Sequence, residues 1–116
     1  MLRRLVDRFR LPPVPLTLYS KPGCGLCDEM KEEIERARVP RRIVLDEVDI
    51  SGSPELEERY GRSIPVLFIG GRLAFKVRLT AGEFIAKFDR LAAEWDRARL
   101  VQGALTDVRT DRGGES

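Results

Sequence analysis

Two short apolar runs, "VPLTLYS" (14–20) and "RRIVLDEVDI" (41–50), flank a stretch patterned as a helix, and that order constrains the fold more than anything else in the chain. In "LCDEMKEEIERARVP", Leu26, Met30, Ile34 and Ala37 fall at i, i+4, i+8 and i+11, which makes one apolar stripe. Asp28 and Glu29 lie in the first turn and Arg36 and Arg38 in the last, as the helix dipole favours. Pro40 ends the helix. A strand, a helix and a second strand in this order imply a right-handed crossover and therefore a parallel strand pair. In the second strand Ile43, Leu45 and Glu47 share one face.

Downstream, "SGSPELEERYG" predicts a short helix with Ser53 as N-cap, Pro54 at its first position and Gly61 as its stop. "IPVLFIGGRLAFKV" (64–77) predicts strands Val66–Ile69 and Leu73–Val77 joined by Gly70-Gly71, a two-residue link suited to positive φ at both positions. Thr80 and Glu83 form a capping box, and Phe84, Ile85, Phe88, Leu91, Ala92 and Trp95 follow at helical spacing. The expected order is β-α-β-α-β-β-α, an α/β fold with a four-stranded mixed sheet and helices on both faces. The domain is expected over 14–98, between an N-terminal extension (1–13) and a flexible C-terminal tail (99–116) that has lost periodicity.

A chain of 116 residues suits one domain, and its 42% hydrophobic and 34% charged residues suit a core beneath a soluble surface. A net charge of +2 demands no nucleic-acid partner. No apolar run reaches the roughly 18–20 residues needed to span a bilayer, and "MLRRLVDRFRLPPVP" lacks the apolar region of a secretory leader. Leu2, Leu5, Val6 and Phe9 lie opposite Arg3, Arg4, Arg8 and Arg10, a pattern read as a short overhang ended by Pro12-Pro13. A membrane-surface anchor or a targeting segment is the alternative. The expected molecule is a cytoplasmic monomer, since its 2 cysteines do not form a secreted disulfide scaffold.

Those cysteines, Cys24 and Cys27 in "YSKPGCGLCDEM", sit between the first strand and the first helix. Such a junction puts the first thiol at a helix N-terminus, where free N–H groups and the dipole favour a thiolate. The second thiol lies one turn on, placed to attack a mixed disulfide. Cys24 is therefore the expected nucleophile and Cys27 the resolving thiol. Lys21 can lean toward the sulfur and stabilise its charge, while Asp28 and Glu29 oppose it. A metal site is disfavoured because structural zinc takes four Cys or His ligands, and this chain has 2 Cys and no His. A metal or iron–sulfur cluster would have to be shared between two chains. Inert packing of two small residues is the remaining alternative.

The stretch from Leu16 to about Leu91 resembles the glutaredoxin-like proteins of the thioredoxin fold, through "LYSKPGCGLC", "SIPVLFIGG" and the order of elements. The resemblance implies a thiol–disulfide oxidoreductase acting on a protein disulfide or a glutathione mixed disulfide, with no bound cofactor and glutathione as a possible co-substrate. It also implies a cis peptide at Pro65 facing the redox pair, and an Ile64 backbone that pairs with the substrate as a strand would. Lys21 is implied to bind a carboxylate of glutathione. The family's glutathione users carry Gly-Gly and an acidic residue after the last strand, where this chain has "KVRLTAGEF". Lys76, Arg78 and an open helix N-terminus near Thr80 offer another place where an anion could be held, though this departure counts against glutathione.

Overall fold

The computed structural model describes residues 11–113, with side chains described through residue 102. The arginine-rich segment 1–10 and residues 114–116 lie outside the described residues. Four strands, β1 (Val14–Ser20), β2 (Ile43–Asp49), β3 (Val66–Ile69) and β4 (Arg72–Lys76), form one sheet in the order β2-β1-β3-β4. β1 and β2 are parallel, as the crossover requires, and β3 runs antiparallel to both β1 and β4. Helix α1 (Gly25–Ala37) makes the crossover; α2 (Pro54–Tyr60) follows a single 3-10 turn at Ile50–Gly52; α3 (Ala81–Gly113) closes the fold. This is the mixed sheet with helices on both faces that the sequence predicts.

Alternation along β1 sorts the two faces. Val14, Leu16 and Leu18 are fully buried, with Leu67 and Ile69 of β3 opposite Leu18 and Leu16. Met30 and Ile34 of α1 and Phe84, Phe88 and Leu91 of α3 complete this core. The other face carries Tyr19 and Phe68, covered by Tyr60 of α2. The two tyrosine rings stack 4.6 Å apart, and Phe68 meets both edge-on.

Local signals explain most element ends. Ser53 accepts the Leu56 N–H at 3.3 Å ahead of Pro54, and Thr80 and Glu83 exchange both bonds of a capping box, at 2.9 and 3.1 Å. Gly70 and Gly71 turn the hairpin with φ of 58° and 80°. Arg41, just before β2, donates twice to Asp96 of α3 at 2.9 Å and once to the Pro12 carbonyl at 2.7 Å, pinning the segment ahead of β1 to the last helix.

Three departures from the sequence expectation have physical reasons. The apolar stripe of α1 is centred on Cys27, Met30 and Ile34, while Leu26 is half-buried, because the helix starts at Gly25 and turns Cys27 inward. Strand β2 leaves Val44 (54%) and Leu45 exposed, since it is the sheet edge and no helix covers that part of it. Helix α3 continues to Gly113, past residue 98 where apolar periodicity stops. Periodicity reports burial, and a proline-free run such as "DRARLVQ" stays helical without it.

Candidate functional site

All four strands contribute to one end of the sheet. Ser20 ends β1 opposite Asp49 of β2, and Tyr19 faces Val66, which faces Lys76 of β4. The register therefore places Lys21, Pro65 and Val77 just beyond the strands at the same end. From there the chain turns through Pro22 and Gly23, with Cys24 N–H donating to the Lys21 carbonyl at 3.3 Å and Gly23 at φ 75°.

Cys24 is the N-cap of α1, and its sulfur accepts the Cys27 N–H at 3.1 Å. One of the donors that a helix leaves unsatisfied at its start thus points at this sulfur, along with the positive end of the dipole. Cys24 is half-buried, whereas Cys27 is 1% exposed and sits on the core side. The two are joined as a disulfide with Cα atoms 5.3 Å apart, a separation that such a bond accommodates. Among the described residues no group of three or more Cys, His, Asp or Glu is arranged to hold a metal ion.

Lys21, expected beside the sulfur, forms an ion pair with Glu57 of α2. A second lysine, Lys31 on α1, bonds Glu47 of β2 at 3.1 Å and lies 3.5 Å from Asp28. Glu47 also accepts the hydroxyl of the buried Ser20 at 2.8 Å. That bond, followed by Lys31, holds the Glu47 carboxyl below the ordinary glutamate range, and the Glu47 bond raises Lys31. Asp49 is likewise lowered, by the Ser51 hydroxyl and then the Ser51 amide.

The Ile64–Pro65 peptide bond is cis, and Pro65 is fully buried. Ile64, expected to pair with substrate, forms no backbone–backbone hydrogen bond among the described residues. The Pro65 carbonyl accepts the Val77 N–H at 2.7 Å, and Arg78 N–H bonds back to Lys76 at 2.7 Å. Val77 is the centre of this three-residue turn at φ 70°, a strained setting for a β-branched residue. It lines a depression of about 460 Å³ together with Leu26, Met30, Leu79 and Thr80.

The substitute anion site expected at Thr80 is not open. Thr80 N–H bonds Glu83 Oε1, Glu83 N–H bonds Thr80 Oγ1, and Glu33 of α1 accepts the Ala81 N–H at 2.9 Å. Two carboxylates of the chain itself occupy the positive helix end. Glu57 and Glu33 carry no local motif that marks them. Glu47 is visible only as the acidic member of its strand's Ile43–Leu45 face.

A family model described as "Glutaredoxin-like domain (DUF836)" matches residues 15–89. A glutaredoxin-like protein of Dictyostelium discoideum is 25% identical over 85 residues, which cover 68% of this chain and 77% of that protein. An alkyl hydroperoxide reductase component from Xanthomonas campestris pv. phaseoli is 29% identical over 101 residues, covering 83% of this chain but only 18% of that protein. Among solved structures, a structural-genomics target protein from X. campestris shares 33% identity at a TM-score of 0.57, covering 65% of this chain and 96% of that one. A Nitrosomonas europaea protein solved by NMR gives 25% identity and a TM-score of 0.57, covering 66% of this chain and 93% of that one.

Proposed function

This chain belongs to the glutaredoxin-like domain family, and from that premise we propose that it is a thiol–disulfide oxidoreductase that reduces disulfides through Cys24 and Cys27. The observation that carries the reading is the Cys24 sulfur, half-exposed at a helix N-cap and already accepting the Cys27 N–H. A sulfur so placed is stabilised as a thiolate once the pair is reduced. Ile64, with its backbone unpaired, supplies the edge along which a substrate strand lies, and Pro65 fixes that edge.

In the proposed cycle the Cys24 thiolate attacks one sulfur of the target disulfide. A Cys24–substrate disulfide forms, and the other substrate sulfur leaves as a thiolate. Cys27 then loses its proton and attacks the Cys24 sulfur, and the second substrate thiolate departs. The target gains two electrons and the pair becomes the disulfide, which an external thiol or reductase returns to the dithiol. The reducing environment of the cytoplasm suits such a cycle, with the chain acting as a monomer.

The test is turnover of a peptide disulfide with a thiol reductant as electron source. Cys24→Ser is expected to lower kcat/KM at least about 1,000-fold, since it removes the nucleophile. Cys27→Ser is expected to accumulate a Cys24–substrate mixed disulfide, visible as an intact-mass adduct. Equal slow rates in the wild type and Cys24→Ser would sink the proposal.

A further inference from the structure

Lys21 opens the turn that leads into Cys24, and any substrate with a negative charge near its reacting sulfur would be drawn to that ammonium group. In this chain the ammonium is paired with Glu57, with the two side chains 35% and 42% exposed, while Asp49 at the end of β2 acts on it only through space, without an ion-pair contact. Glu57 is not loosely placed. Tyr60, three residues on in the same short helix, stacks on Tyr19 of β1, and Ser53 caps the helix at its other end. The carboxylate is therefore delivered to Lys21 from a fixed position. A carboxylate arriving on a substrate must displace a tethered competitor present at high effective concentration. Lys31, the other lysine near this turn, is bound by Glu47 and Asp28 and does not take over the role.

We infer that Glu57 is a specificity-determining residue. By holding Lys21 it withholds the cation of the turn that leads into Cys24 from carboxylate-bearing disulfides, and biases the pair toward substrates with no negative charge next to the sulfur. The consequence for substrates rests on the redox reading above. The electrostatic statement about Cys24 does not.

Alkylation of the reduced chain tests the electrostatic statement directly. The Cys24 sulfur displaces iodide from iodoacetate, which is anionic, or from iodoacetamide, which is neutral, forming a carbon–sulfur bond in each case. The ratio of the two rates reads the charge that an incoming group meets. Glu57→Gln is expected to raise the iodoacetate-to-iodoacetamide ratio roughly 3- to 5-fold at low ionic strength, the factor an exposed ion pair is worth. The gain should vanish at about 1 M salt, where the screening length falls to about 3 Å. In a Lys21→Gln background the same substitution should change the ratio less than about 1.5-fold, because the freed lysine carries the effect. An equal rise with and without Lys21, or no rise, overturns the inference.

The wild type provides a check that needs no variant. With Lys21 held by Glu57, its ratio should not fall over the same salt range, and should rise modestly as salt screens the repulsion between thiolate and iodoacetate. A ratio that falls steeply with salt means Lys21 already attracts anions, and refutes the role given to Glu57. Among disulfides, Glu57→Gln should speed reduction of glutathione disulfide and leave hydroxyethyl disulfide and cystamine unaccelerated. If all three speed up equally, Glu57 does not set specificity. If the wild type reduces neither these nor the peptide disulfide faster than Cys24→Ser, the redox proposal fails and the alkylation ratios still decide the role of Glu57.

Discussion

The two faces of the sheet are built to different standards. One is covered by helices of 13 and 33 residues, over aliphatic side chains with no exposure and two phenylalanines in contact at 5.5 Å. The other is covered by a 7-residue helix with no buried residue of its own, held by three aromatic rings. The thick face anchors Cys27 and the body of α1. The thin face carries Glu57, the partner of Lys21. Packing thus fixes one sulfur firmly, while the partner of Lys21, in the turn leading to the other, comes from the more weakly supported side.

Three measurements would break or sharpen the contrast. Phe84→Ala empties the centre of the thick face, and urea denaturation should show a loss of about 3–5 kcal/mol. Tyr60→Ala strips the thin face of its stacked ring and should lower stability by about 1–2 kcal/mol. A loss equal to that of Phe84→Ala would mean the faces are equally important to the fold. The smallest effect belongs to Glu47. Its carboxyl is held below its ordinary range in the folded chain, so the stability it adds is present above the ordinary value of 4.5 and is lost as pH falls through the lowered one. Glu47→Gln should cost no more than about 0.5 kcal/mol near pH 7, since the side chain is partly exposed and screened. That difference from the wild type should shrink in acid. A gap that widens below pH 4 contradicts the assigned direction.

Features written within a few neighbouring residues were legible in the sequence. Ser53-Pro54, Thr80 with Glu83, and Gly70-Gly71 each act through backbone groups two or three positions away, so reading them needs no knowledge of the fold. The Cys24-to-Cys27 spacing is legible for the same reason. Pairs that depend on register were not. Lys21 meets Glu57 only because α2 docks beneath Tyr19, and Ser20 meets Glu47 only because β1 and β2 align Leu18 with Glu47. The filled N-terminus of α3 belongs to the same class, since Glu33 comes from another helix. Charge near the site is thus a tertiary property, whereas the cysteine pair is a local one.

The unequal burial of the two sulfurs has a kinetic consequence on the proposed reading. With Cys27 sealed in the core, Cys24 is the single point through which thiol exchange enters and leaves. Substrate and electron donor must then take turns at one atom, and no ternary complex with both is productive. The cycle would be ping-pong, with each of the two reactants acting as a competitive inhibitor of the half-reaction that belongs to the other.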